Sequence, residues 1–264
     1  MSANFTEKIS LTDLRNRPIT CTNKKETALA YHNIGIDLDC DFNKESLVSV
    51  EELGIAARSA YVSPYGPYKK AFANALPKVY VRETVAKMLI ECNKILREYA
   101  VEILALDGYR SVDLQKELWQ YFIDRGKELL KTPTEEDLIK FAGTYSSNPS
   151  SYDPNNFRTW PIHNTGGAID VTLRSIESKK ELFFCSYFDQ ADPISVTRYF
   201  EKENLDDSQK EAQGNRRLLC HAMQEVGFIN YPHEWWHYDF GTQMWVMNGG
   251  NNAKAYYGRS QLKL

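Results

Sequence analysis

Five histidines occur in the chain, His32, His163, His221, His233 and His237, and two of them close the string His233-Glu234-Trp235-Trp236-His237. On a helix, H-E-x-x-H places both imidazoles on one face to bind zinc while the glutamate activates water. The surroundings read as strand instead. Pro232 precedes the string, two tryptophans fill it, and Tyr238-Asp239-Phe240 continues it as far as Gly241. A second set is His163 and Asp170, an H-x6-D with Gly166-Gly167 between them. Paired glycines let the chain turn and bring a carboxylate back toward the imidazole, and a strand over 168–173 would hold Asp170 rigidly. Such a pair can share a metal ion or simply a hydrogen bond, and the pattern alone leaves both open.

The elements that must position these groups become legible after a turn at 63–67, Ser-Pro-Tyr-Gly-Pro. Val85, Leu89, Cys92, Leu96 and Tyr99 recur at helical spacing over 82–99. A short buried strand follows over 101–106, stopped by Asp107-Gly108, so Arg110 stands at a strand-to-helix junction. Leu114, Leu118 and Phe122 restore the helical period to about residue 131, and Thr132-Pro133-Thr134-Glu135 has the form of a capping box that opens a short helix to 141. Residues 143–161 are dense in Ser, Asn, Pro and Gly, which marks a long loop, either a lid or disordered. A helix over 215–226 is capped by Gly227, and 228–240 is aromatic and strand-like, broken at Pro232. No glycine fingerprint follows the first strand, so a dinucleotide-binding sheet is not indicated. The expected fold is α+β, with helices packed on a small antiparallel sheet that carries the polar constellation. One domain over 63–264 with an N-terminal extension over 1–62 is the simplest organisation.

Composition narrows the function. The 264 residues carry 32 Lys+Arg against 35 Asp+Glu, a net charge of −3, with both signs spread along the chain. Nothing there attracts nucleic acid or an anionic membrane. No uninterrupted apolar run exceeds four residues, where a bilayer span needs about 20. The first twenty residues hold no apolar stretch of a secretory signal, and the five cysteines are odd in number, widely spaced and without C-x-x-C. Buried free thiols and a cytoplasmic location are the expectation.

Both chemical segments together resemble the zinc D-alanyl-D-alanine dipeptidases, the vancomycin-resistance type within the D,D-peptidase and hedgehog-like superfamily. The resemblance spans about 82–240. It rests on Asp107-Gly108-Tyr109-Arg110, similar to the family's D-G-Y-R; on 163–172, similar to H-S-R-G-x-A-I-D-L-T; and on Glu234-Trp235-Trp236-His237-Tyr238, similar to E-W-W-H-[YF]. Asn215-Arg216-Arg217-Leu218 and Ser186-Tyr187-Phe188-Asp189 match further stretches in the same order. The resemblance implies His163, Asp170 and His237 as ligands of one zinc per chain, with Glu234 as general base and acid. It implies Arg110 as the cation beside the developing oxyanion and Asp189 as the acceptor for a dipeptide's ammonium. Ser186 and Tyr109 are further candidates for substrate contact, although Tyr109, like Asp107, is also suited to packing beneath Arg110. His233 is expected beside the site, and His32 and His221 away from it. Pro161 departs from a serine common in the family and cannot donate a hydrogen bond. Phe184 and Cys185 depart from the methionine and glycine of its M-G-[ST]-x-F-D segment. The implied activity is hydrolysis of D-Ala-D-Ala or a related D,D-dipeptide by metal-activated water, with a small dipeptide as partner. Its alternatives are a peptidoglycan D,D-carboxypeptidase of the same superfamily and a non-catalytic, zinc-stabilised binding protein.

Overall fold

A computed structural model describes residues 13–20, 30–64, 67–190 and 192–262. Two four-residue helical turns, α1 (Asp13–Asn16) and α2 (Asp41–Lys44), precede strands β1 (Leu47–Ser49) and β2 (Ala56–Ala57). Strand β3 (Tyr80–Arg82) runs straight into α3 (Glu83–Arg97), followed by β4 (Val101–Asp107) and α4 (Val112–Leu129). Then come α5 (Glu135–Gly143), β5 (Ala168–Ser175), α6 (Asp207–Glu225), β6 (Ile229–Asn230), β7 (His237–Asp239) and α7 (Gln243–Met247).

Five strands form one sheet in the order β2-β4-β5-β7-β6, and β1 pairs with β3 in a separate two-stranded sheet. The α+β class is as expected, but the main sheet is not wholly antiparallel, because β2 and β4 run parallel. The crossover through β3 and α3 returns the chain in its original direction, and that connection permits only a parallel pair. Within the stretch read as an N-terminal extension, 1–62, the described residues supply β1 and β2. The N–H groups of Arg58 and Ala60 also donate to the carbonyls of Ala105 and Leu106. Of the turn expected at 63–67, Tyr65 and Gly66 lie outside the described residues, as does Cys21. Cys92 and Cys220 are buried thiols, whereas Cys40 and Cys185 are only half-buried, against expectation.

Strand alternation decides which residues meet the helices. Ile169, Val171 and Leu173 of β5 join Ile103 and Ala105 of β4 in the main core. Against them pack Val85, Leu89, Cys92 and Leu96 of α3 and Leu218, Leu219, Ala222 and Met223 of α6. Asp170 and Thr172 therefore project from the opposite face. A second apolar cluster joins Leu114, Leu118 and Phe122 of α4 to Tyr61, Tyr68 and Phe72.

Two helix starts differ from the sequence expectation. Thr134, not Thr132, caps α5: its hydroxyl accepts from Asp137 N–H while the Asp137 carboxylate accepts from Thr134 N–H. Thr132 has φ +51°, a turn conformation outside the helix. Helix α6 begins at Asp207, well before 215, on a capping box between Asp206 and Gln209. Its first two turns are nearly all polar, so no apolar stripe announces them. Among the described residues no helix is long and apolar enough to cross a membrane.

Candidate active site

The sheet register lines up the chemistry. Asp170 of β5 stands opposite His237 of β7, and a register shift after Ala105 brings Asp107 of β4 opposite Asp170 on the other side. His163 lies in the 3-10 turn Ile162–Thr165 just before β5. Gly166 then takes φ +73° and turns the chain back, and a Cβ there would run into the Leu47 side chain. Gly108 is equally confined, by the Tyr80 carbonyl. Its own carbonyl oxygen accepts from His163 Nδ1 at 2.8 Å, which leaves His163 Nε2 as a lone pair. On the other imidazole, Nε2 donates to Asp239 Oδ2 at 2.9 Å, which leaves Nδ1 as the lone pair.

These lone pairs converge. His163 Nε2 and His237 Nδ1 are 3.3 Å apart, and one ligand atom each from His163, Asp170 and His237 all lie within 4.8 Å of one another. All three residues are buried. Asp170 Oδ1 is 3.0 Å from His237 Nδ1, yet it has no hydrogen-bond partner. Three electron-rich atoms facing one point without a donor between them fit a divalent cation, and two nitrogens with one carboxylate suit zinc. The charge balance agrees. Burial, with Arg110 and the second imidazole nearby, pushes His163 well below the usual histidine range, toward the neutral form a ligand needs. Burial raises Asp170 to about 6. Burial opposes a charge on His237, yet Asp239 and Asp170 on either side lift it well above its ordinary value. Both shifts express one demand for positive charge between Asp170 and His237, which a metal ion would meet while leaving the imidazole neutral.

Glu234 sits in the turn between β6 and β7, with Oε2 3.8 Å from His237 Nδ1 and 31 % of its side chain exposed. Burial, then the negative charges of Asp170 and Asp189, push it up to about 8. His233 is exposed and its ring packs 5.2 Å from Tyr231. The H-E-x-x-H string is therefore not a helical zinc motif here, because the chain turns at Pro232 and extends from His237.

Arg110 is clamped from three directions. Its Nε and Nη2 donate to Asp107 Oδ2 at 3.0 and 2.6 Å, Nη2 to Tyr61 OH at 2.7 Å, and Nη1 to Gln115 Oε1 at 3.1 Å. Nη2 lies 4.0 Å from Asp170 Oδ2, so the cation borders the converging ligands. Asp189 has φ +59° and its Oδ2 accepts from Tyr68 OH. Burial pushes its carboxyl pKa up. A cleft of about 330 Å³ is lined by Arg110, His163, Asp170, Asp189, Glu234 and His237 together. A larger cavity of about 760 Å³, beside Arg82 and Trp160, touches none of them, so size alone does not identify the site.

Two candidates point elsewhere. Ser186 Oγ accepts from Trp235 Nε1 at 2.7 Å and from Arg216 Nη2 at 3.2 Å, outside the cleft lining. Tyr109 is buried and is likewise absent from the cleft lining. His221 Nε2 meets the Arg17 carbonyl at 2.9 Å, and neither His221 nor His32 lines the cleft. Sequence reasoning missed Tyr61, Tyr68, Gln115 and Asp239. Only Asp239 carried a signal, since two residues past His237 on a strand is the same face.

The family model described as D-ala-D-ala dipeptidase, Peptidase_M15, matches residues 44–254. A D-alanyl-D-alanine dipeptidase of Synechocystis sp. is 29% identical over 220 residues, covering 74% of this chain and 85% of that one. A D-alanyl-D-alanine dipeptidase of Enterococcus faecium is 29% identical over 164 residues, covering 58% and 69%. The solved vancomycin-resistance D,D-pentapeptidase VanY, in complex with Zn(II), superposes with a TM-score of 0.40 at 17% identity over 64% of this chain and 75% of that one. The matched span contains Arg110, His163, Asp170, Asp189, Glu234 and His237 of the cleft, together with Asp107 and Asp239. On that match the chain belongs to the D-ala-D-ala dipeptidase family, Peptidase_M15, and is a peptidase.

Proposed function

We propose that this peptidase hydrolyses D-Ala-D-Ala, or a closely related D,D-dipeptide, at a single zinc site formed by His163 Nε2, the Asp170 carboxylate and His237 Nδ1. The observation that carries the reading is the convergence of three lone pairs, each imidazole's tautomer set by a second hydrogen bond, beside Glu234 and Arg110 in one cleft. Zinc bound there would supply Lewis acidity toward the peptide carbonyl and would acidify water.

The remaining chemistry belongs to the chain. Glu234, near the ligands yet still exposed to the cleft, takes the proton of the attacking water and hands it to the leaving amine nitrogen. Arg110 stabilises the negative charge that develops on the carbonyl oxygen. Asp107, Tyr61 and Gln115 hold that guanidinium in place beforehand, so little reorganisation accompanies the reaction. Asp189, with Tyr68 on one oxygen, accepts the substrate's free ammonium. An acylated amine would leave this half-buried carboxylate without a counter-charge, an energetic penalty. That penalty favours free dipeptides over the longer stem peptides a carboxypeptidase would cut. A cytoplasmic site of action fits the free thiols of Cys40, Cys92, Cys185 and Cys220.

The test is a panel of D and L dipeptides, free and N-acetylated, assayed with zinc and after chelation. Zinc-dependent cleavage of free D-Ala-D-Ala, with the N-acetyl form nearly inert, is the expected result. Equal cleavage of acetylated or pentapeptide substrates would make the carboxypeptidase reading the better one. No cleavage by the zinc-loaded protein would point to a binding protein.

A further inference from the structure

Arg216, on α6, is 2 % exposed and has no carboxylate at ion-pair distance among the described residues. Its guanidinium is committed to neutral oxygens instead. Nε and Nη2 donate to the Phe184 carbonyl at 3.2 and 2.7 Å, Nη2 also to Ser186 Oγ at 3.2 Å, and Nη1 to the Val196 carbonyl at 2.9 Å. The group lies 4.8 Å from the Phe200 ring and 5.9 Å from the Trp235 ring.

These acceptors lie on both sides of Asp189 in the chain. The same segment is fastened to the turn that carries Glu234. Trp235 Nε1 donates to Ser186 Oγ at 2.7 Å, Trp235 N–H donates to the Ser195 carbonyl at 3.1 Å, and the Trp235 ring stacks on Phe184 at 4.1 Å. One buried cation therefore joins the two ends of the Asp189 segment to the residue next to Glu234. Packing alone does not explain it, because apolar side chains of similar volume would fill such a space without the desolvation of a permanent charge. A planar fork is what a single side chain needs to reach three acceptors at fixed spacing. Asp189 also needs outside anchors, since its left-handed backbone is unfavourable for an L residue.

We propose that Arg216 is a positioning residue for substrate selection. It fixes the Asp189 carboxylate relative to the Glu234 turn, and so sets how tightly the free amine of a dipeptide is held, without touching the substrate. The proposal rests on Asp189 as the amine acceptor.

The test compares zinc-loaded wild type with Arg216→Lys and Ser186→Ala. Lysine keeps the charge but loses the fork, while Ser186→Ala removes only the acceptor shared by Arg216 and Trp235 and guards against an Arg216 variant that fails to fold. KM for D-Ala-D-Ala should rise about tenfold in Arg216→Lys, the effect of losing one hydrogen bond from a charged donor, and by less in Ser186→Ala. Zinc content should not change, and kcat should stay within about threefold. The preference for free over N-acetylated dipeptide should narrow as KM rises. Hydrogen exchange, which needs no substrate, should quicken in peptides spanning 184–196 and not in β5. Unchanged KM with activity falling in step with the folded fraction, or exchange that quickens throughout the protein, would overturn the proposal and leave Arg216 a core residue. If wild type cleaves no dipeptide, the proposed reaction fails instead, and the exchange pattern alone decides on Arg216.

Discussion

As a zinc ligand, His237 would act through Nδ1 only while its proton stays on Nε2, and Asp239 is the group that keeps it there. Asp239 is fully buried, accepting from His237 Nε2 at 2.9 Å and from Thr242 Oγ1 at 2.7 Å. In Asp239→Ala the imidazole loses that acceptor. Without the Asp239 charge the ring is easier to neutralise, and the nearest acceptor left is Asp170 Oδ1, 3.0 Å from Nδ1, so the remaining proton stays on Nδ1 and occupies the ligand atom. Zinc binding must then return the proton to Nε2, now a buried donor with no acceptor, at a cost of about 1–3 kcal/mol. At 1.4 kcal/mol per factor of ten, zinc should bind about 5- to 150-fold more weakly. Asp239→Asn keeps an oxygen acceptor and should fall at the weak end of that range. Thr242→Val is the control. It removes the cap that accepts from Trp245 N–H at 3.0 Å and should lower stability by about 1 kcal/mol with little effect on zinc. Competition against a chromophoric chelator gives the affinities, and nitrogen-15 shifts of His237 give the tautomer. Zinc affinity in Asp239→Ala equal to wild type, or a wild-type apo ring already protonated on Nδ1 alone, would refute the reasoning.

His163→Ala, Asp170→Ala and His237→Ala should each lower zinc occupancy while His233→Ala keeps it; the reverse pattern for His163 and His233 would sink the ligand assignment. Glu234→Ala should retain fold and zinc but lose turnover by about 10²–10⁴-fold, and Arg110→Ala should act mainly on kcat, so a near-normal kcat in either removes that residue from its role. In the zinc-free protein Glu234 is raised from 4.5 to about 8, so its stabilising share is present below 4.5 and is lost as pH climbs through 8. The thermal midpoints of apo wild type and apo Glu234→Gln should therefore diverge over that window, the variant becoming the more stable at alkaline pH; parallel curves would argue against the shift.

Helices α3 and α4 were legible because each keeps an apolar stripe that the core requires. Val85, Leu89, Cys92 and Leu96 are all 0 % exposed, so the period written in the sequence is the period of burial. The polar first half of α6 is held by its Asp206 capping box and carries no such period. Strands β1, β2 and β3 are two or three residues long, too short for alternation to register. Their pairing depends on partners far along the chain, as with Leu47 opposite Arg82 and Ala56 beside Leu104. For that reason the segment before 82 looked featureless although it supplies a strand of the main sheet.

The site divides along the same line. His163 and Asp170 were readable because a left-handed glycine and a strand period fix their relation locally, and Asp239 follows His237 by the same period. Arg110 was readable as a residue at a strand-to-helix junction, but its clamp was not. Tyr61 reaches it from 49 positions upstream and joins Asp107 and Gln115, which sit on different elements, around one guanidinium. The local period places the groups that would bind metal, because two adjacent strands suffice to bring them together. The contacts behind the proposed substrate selection are of another kind: Tyr68 meets Asp189 across 121 positions, and Arg216 meets Ser186 across 30. Such distances are closed only by the folded core, so under the proposed reading changes in packing far from His163, Asp170 and His237 would alter which dipeptide is accepted while the motif that holds these three residues stays the same.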